Sequence, residues 1–540
     1  MSEPQSPRIG PGAVTRRSFL AGSAGLVAAG SVGALVGRAA ASPRLAGPLA
    51  GLGTPDATQA EALRVLGRSS LRLPDSLPFP SMPAGGVDML PEVEHIVVLM
   101  LENHSYDNFL GMLGRGRKQR PRGDGFTLGR DGLPTAANPY ANGRLQRAFR
   151  MPTTCQLEGK PSQEWKQSHI QYADGRNDGF VISDSGAVAM GYWTQQDLPF
   201  TYDLATQFPI ADRWFSSCLA QTDPNRRYLI AATSSGMTDD IGVSPGGIVP
   251  DATLVAPANG TIFDRLTTYG ISWADYYTSF PTGVTAELYP EQDAAVTALH
   301  MKPIADFFSD AAAGTLPSFS LLDPDFGTQS QENPQNIVVG EAFLAKVVQA
   351  LGSSPLWPKT LFILTYDEHG GYYDHVPPPV ALAPDAIPPT VQPGETTYDG
   401  FARYGFRVPT VVVSPYAKRS YVSHTVYDHT SILALVERKF NLPAITLRDA
   451  NANDVTDFLD LAAMSAGRPT FEQLPPLAAP GENAATLACS VRGPGTIPPA
   501  AVAPSRQPRP KKPKAKPKRK HARHVHRRKR RHRARPRFTG

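Results

Sequence analysis

Cysteine is nearly missing from this chain, with only Cys155, Cys218 and Cys489 among 540 residues. So low a count excludes a disulfide-built fold and a cysteine-rich zinc module. In an oxidising compartment the three could supply one bridge with one thiol left over, and Cys155 and Cys218 read equally well as small buried hydrophobes. Past Ala41 no apolar run is long enough to cross a bilayer, and no internal repeat points to a solenoid. Acid is missing from one stretch only. Ser505 to Gly540 holds eighteen Lys and Arg and not one Asp or Glu. Without that tail the totals of 54 basic and 48 acidic residues become 36 and 48, so residues 1–504 carry −12 and the nominal net charge of +6 averages two unlike parts. What is present in quantity is apolar material, 41% of the chain, enough for one large core or two ordinary ones.

The N-terminus pairs Arg16 with Arg17 ahead of the weakly hydrophobic run Phe19–Val36 and the small residues Ala39–Ala41. That order has the form of a twin-arginine export signal, expected to be cleaved after Ala41. A membrane anchor is the other reading, but the run is only just long enough to span and is interrupted by glycine and serine. The expected location is therefore outside the cytoplasm: secreted, periplasmic or wall-associated.

Five segments follow from composition. Residues 1–41 are the signal and 42–90 a Pro/Gly/Ala-rich leader that wraps the surface or stays loose. Residues 91–465 form the catalytic domain, 466–504 a Pro/Ala-rich extension, and 505–540 a Lys/Arg/His/Pro tail that cannot bury a core. Within the domain, strands are expected at His95–Met100, Ile271–Tyr277, Ser318–Leu322, Leu361–Thr365 and Val408–Val413. They alternate with helices at Thr261–Tyr269, Asn336–Leu351 and Thr430–Phe440. Such alternation predicts an α/β fold, a mainly parallel sheet covered on both faces. The proline-rich stretch from Pro377 to Gly400 reads as an insertion at the sheet's rim.

Acidic and amide side chains recur where the expected strands end, and the carboxyl ends of parallel strands are where ligands bind. The first strand runs into Glu102-Asn103 and another into Asp367-Glu368. Adjacent carboxylates at a buried strand end are costly unless a cation neutralises them, so these four side chains suit one hard divalent metal ion held by oxygen. Helix caps or surface turns are the alternative. Thr222, in Gln221-Thr-Asp-Pro-Asn-Arg-Arg-Tyr228, could be a helix N-cap. Facing a metal, it becomes a nucleophile for phosphorus, with Asn225 and Arg226 supplying donors to phosphoryl oxygens.

Six strings in order, VVLMLENHSYDNFLG, GRNDGF, TDPNRRYL, YDEHGGYYDHVPPP, GFRVPTVVVSPYA and VSHTVYDHTSIL, resemble the bacterial phosphoesterases that include phospholipases C and an acid phosphatase. The likeness spans roughly residues 93–460. It implies an alkaline-phosphatase-like three-layer α/β/α sandwich, and it makes Glu102, Asn103, Asp367 and Glu368 the ligands of one divalent metal. It makes Thr222 a transiently phosphorylated nucleophile and sets His169 near the phosphoryl group. The chain departs from that pattern at Gln163 and Asn333, where the family often has histidines. Amides there keep hydrogen bonding and lose proton transfer near neutral pH. Asn333 and His369 stay on the substrate side, and His369, His375, His424 and His429 are the alternative proton donors.

Three functions compete: phospholipid head-group cleavage of phospholipase C type, broad phosphomonoester hydrolysis, or a non-catalytic envelope protein. In the last, the tail binds anionic polymers or lipid surfaces without nucleic-acid specificity.

Overall fold

The runs HIVVLML and TLFILTY are apolar without alternation, the pattern of strands buried on both faces. In the computed structural model, which describes residues 55–116, 120, 122–157, 161–240, 257–278, 299–481 and 496–501, they are the central strands. The signal segment, Cys489 and the basic tail lie outside the described residues.

Among the described residues one eight-stranded sheet forms the core: β1 (His95–Leu101), β2 (Ile210–Ala211), β3 (Trp273–Tyr277), β4 (Met301–Pro303), β5 (Phe319–Leu322), β6 (Thr360–Tyr366), β7 (Val411–Val413) and β8 (Val422–Ser423). Their spatial order is β8-β2-β7-β6-β1-β5-β3-β4. All of β6 and all of β1 except His95 are buried. Successive side chains of a strand point to opposite faces, so both faces of the sheet are covered. The expected α/β class holds. The sheet is mixed rather than wholly parallel, because β7 runs antiparallel to both β6 and β2.

Register does the functional work. β1 and β6 pair in parallel from His95 opposite Thr360 to Leu101 opposite Tyr366. The residues that follow, Glu102-Asn103 and Asp367-Glu368, therefore leave the sheet side by side. β5 pairs with β1 in parallel, Leu99 opposite Leu322, which brings Asp323 to the same edge.

Helix starts follow local chemistry. Asn336 accepts from the Val338 N–H at the head of Ile337–Ser353, and Thr261 and Asp264 form a capping box on Ile262–Thr268. The leader is not loose where it is described. Ala57–Val65 is a capped helix whose Ala62 and Leu63 pack, with Leu66, against Leu382 of the proline-rich insertion. The Asn441 amide donates to the carbonyls of Phe79, Met82 and Pro83. Cys155 is disulfide-bonded, which corrects its reading as a packing residue, whereas Cys218 is a buried free thiol. No helix among the described residues is long and apolar enough to cross a membrane.

Candidate active site

At the end of β1 the chain turns at Asn103, whose φ of 71° lies in the left-handed region that asparagine tolerates. The turn lets the Asn103 N–H donate to Asp367 Oδ1 at 3.0 Å. Its Nδ2 then lies 3.2 Å from Thr222 Oγ1 and 3.4 Å from each Asp367 oxygen. Gln163 Nε2 donates to Asn103 Oδ1 at 3.1 Å, so the amide at this departure from the family pattern orients the neighbouring one. At the end of β6, Gly370 has a φ of 65°, and a Cβ there would sit 1.9 Å from the Asn103 carbonyl oxygen. Only glycine allows these two loops to approach so closely.

Thr222 is the first residue of the helix Thr222–Ala231, and the N-cap position belongs to Gln221. The hydroxyl does not cap the helix; it is half-buried and faces Asn103. The Asn225 side chain accepts from the N–H groups of Ser217 and Cys218 and donates to the carbonyls of Ala220 and Gln221, shaping the loop that delivers Thr222. Arg226 is buried among carboxylates: Nε lies 3.5 Å from Asp367, Nη1 3.7 Å from Asp323 and Nη2 3.8 Å from Glu102. These contacts of Asn225 and Arg226 are made to the protein itself.

The histidines divide by surroundings. His169 holds the Trp165 carbonyl through Nδ1, stacks on Tyr398 with ring centres 3.8 Å apart and lines a cavity of about 740 Å³; burial pushes it down to about 4. His369 lies between Glu368 Oε2 and Gln171 Oε1, and burial pushes it down to about 3. His429 donates from Nε2 to the Asp367 carbonyl at 2.7 Å. His424 pairs with Asp212, and His375 with Asp107. Asn333 Oδ1 lies 2.6 Å from the Tyr372 hydroxyl.

Charge at the strand ends does not balance. Burial first and Glu332 second push the Glu102 carboxyl well above the usual range, with Arg226 opposing; burial first and Asp367 second do the same to Glu368. Burial works against the Arg226 charge, but Asp367, Glu102 and Asp323 outweigh it. One guanidinium thus faces the carboxylates of Glu102, Asp323 and Asp367, and none of these contacts reaches Glu368 beside them. Glu102 Oε2 and Glu368 Oε1 are buried without a hydrogen-bond partner among the described residues. Orphaned carboxylate oxygens in such a place are expensive, and an oxygen-binding divalent cation satisfies them. The donor set therefore fits a metal ion.

A profile of the Phosphoesterase family matches residues 93–443. The chain belongs to the phosphoesterase family. Non-specific phospholipase C1 of Arabidopsis thaliana is 30% identical to this phosphoesterase over 395 residues, 66% of this chain and 69% of the plant protein. Phospholipase C A of Mycobacterium tuberculosis is 30% identical over 414 residues, 69% of this chain and 78% of that protein. Among solved structures, a protein in the alkaline phosphatase superfamily from Vibrio parahaemolyticus overlaps with a TM-score of 0.30 at 11% identity, covering 57% of this chain and 74% of its own. This phosphoesterase is a hydrolase of phosphoester bonds.

A second acidic group lies apart from the strand-end carboxylates. Ligand atoms of Asp107, Asp374 and His375 fall within 4.8 Å of one another, a grouping that could hold a metal ion. The phosphoesterase already fills that place with a cation of its own, since Arg407 Nε is 2.9 Å from Asp374 and Nη2 is 3.2 Å from Asp107. Sequence reasoning passed over Asp323 and the carboxylate-binding role of Arg226. Asp323 was available by the rule already applied to β1 and β6, because it directly follows β5. The role of Arg226 had no sequence signal.

Proposed function

We propose that this phosphoesterase is an exported, metal-dependent enzyme of phospholipase C type that cleaves phospholipid head groups with Thr222 as nucleophile. The observation that carries this is the contact between Asn103 Nδ2 and Thr222 Oγ1, on an amide that also touches Asp367. The relatives named phospholipase C support the choice of substrate class.

Glu102, Asn103, Asp367 and Glu368 would hold one divalent cation, whose bound charge lowers the hydroxyl pKa and offsets phosphoryl charge. Thr222 Oγ forms a bond to phosphorus as the bond to the lipid alcohol breaks, and the alcohol leaves with a proton. Water then cleaves the phosphorus–Thr222 bond, releasing the phosphorylated head group and restoring the hydroxyl. The Asn103 Nδ2–H donates to the threonine oxygen as negative charge builds there. Gln163 holds the Asn103 amide in place, and His169, Asn333 and His369 are assigned to the substrate side. The basic tail keeps the enzyme near anionic envelope surfaces, where phospholipid is concentrated.

The test compares hydrolysis of p-nitrophenyl phosphorylcholine and p-nitrophenyl phosphate, with and without chelator, alongside metal analysis of the purified protein. Faster, chelator-sensitive turnover of the choline ester is expected. Rapid cleavage of the monoester with negligible turnover of the diester would replace the phospholipase reading with a phosphomonoesterase.

A further inference from the structure

The helix that starts at Thr222 is held at its first turn by a residue from beyond its far end. Gln221 occupies the N-cap position, but its side chain makes no capping hydrogen bond. The cap comes instead from Asp240, whose Oδ1 accepts from the Asp223 N–H at 2.8 Å. In return the Asp240 N–H donates to Gln221 Oε1, also at 2.8 Å. One residue thus grips both neighbours of Thr222.

The grip has a firm base. After the helix the chain reverses at Ala232, with a φ of 59°, and returns along residues 233–240. That return segment is fastened to the proline-rich insertion: Thr233 Oγ1 donates to Asp385 at 2.6 Å, the Thr390 N–H donates to the Gly236 carbonyl at 2.7 Å and Thr238 Oγ1 donates to the Thr390 carbonyl at 2.7 Å. The connection runs from insertion to return segment, from there to Asp240, and from Asp240 to the Asp223 backbone on one side of the hydroxyl and the Gln221 side chain on the other.

We propose that Asp240 is a positioning residue that fixes the Thr222 hydroxyl for in-line attack, an inference that rests on the reading of Thr222 as nucleophile. Small displacements of a nucleophile cost rate far more than they cost substrate binding, so the effect belongs to kcat. The carboxylate acts as a hydrogen-bond acceptor, and asparagine can replace it in that role.

The experiment measures kcat and KM for wild type, Thr222→Ala, Asp240→Ala and Asp240→Asn, using whichever of the two nitrophenyl substrates the wild type turns over faster. Asp240→Ala is expected to lower kcat about 10- to 100-fold with KM unchanged within about twofold, and Asp240→Asn to stay within about threefold of wild type. An inactive Thr222→Ala beside an Asp240→Ala with normal kcat overturns the positioning role and leaves the nucleophile standing. Equal damage from Ala and Asn overturns it too, because charge rather than acceptance would then be what matters. A fully active Thr222→Ala removes the nucleophile reading itself, through a different variant. If Asp240→Ala does not fold, Gln221→Ala, which removes the second grip, is expected to lower kcat about three- to tenfold at constant KM, and an unchanged kcat overturns the inference.

Discussion

Asn103 and Thr222 are 119 positions apart in the chain, yet the amide of one lies 3.2 Å from the hydroxyl of the other. Replacing Thr222 with Ala should abolish turnover, while Thr222→Ser, which keeps an oxygen in the same place, should retain part of it. Asn103→Leu removes the donor to that oxygen together with a proposed ligand of the cation, and should lower kcat by about 100-fold or more. Steady-state kinetics on the better chromogenic substrate checks all three. Full activity in Thr222→Ala would end the mechanism.

Arg226 contacts Glu102, Asp323 and Asp367 at once. Arg226→Met should destabilise the fold by about 3–5 kcal/mol, the cost of stranding buried carboxylates. A divalent cation should then raise the melting temperature of the variant by more than it raises that of wild type. Thermal unfolding with and without added metal measures both effects.

Glu341 ties three parts of the fold together: Oε1 accepts from the Thr201 N–H at 2.8 Å and Oε2 from the Gly481 N–H at 3.2 Å. Burial pushes its carboxyl up to about 7, against the pull of those two donors. The folded state therefore holds the proton more tightly than the unfolded state. The stability this confers is complete below the ordinary glutamate pKa of about 4.3 and is lost as pH rises through 7. Denaturant titrations of wild type minus Glu341→Gln should show a loss of roughly 3 kcal/mol across that window. A flat difference would mean that the carboxyl titrates normally.

His375 has the same sign for a different reason. Burial works against its charge, but Asp107, 2.6 Å from Nδ1, raises its pKa above the usual histidine value. Its contribution is present below the unfolded pKa of about 6.5 and disappears as pH climbs through the higher folded value. His375→Gln should remove that part of the pH dependence, and NMR titration of the ring should find the raised pKa directly.

The tail from Ser505 to Gly540 brings eighteen basic residues to a body that is otherwise acidic. Deleting it should weaken cosedimentation with phosphatidylglycerol vesicles by about tenfold or more at low salt and flatten the salt dependence, with kcat on a soluble substrate unchanged. Equal binding by the truncated protein would dismiss the tail as an anchor.

The sequence alone placed Glu102-Asn103 and Asp367-Glu368 just past the ends of two buried strands, because apolar runs without alternation mark such strands. It also gave the α/β class, through the same runs alternating with amphipathic helices. It did not reveal that β7 runs antiparallel, since periodicity carries no direction. Nor could it separate the two readings of Thr222: whether a hydroxyl caps a helix or faces an amide from another loop depends on where that helix docks. Arg226, Asn225 and Asp240 were decided by tertiary structure for the same reason. A side chain's partner is set by the rotation of its helix and by the return path of the chain, and neither is written in local residue order. Composition and spacing fixed which atoms were available, and packing chose which of them meet.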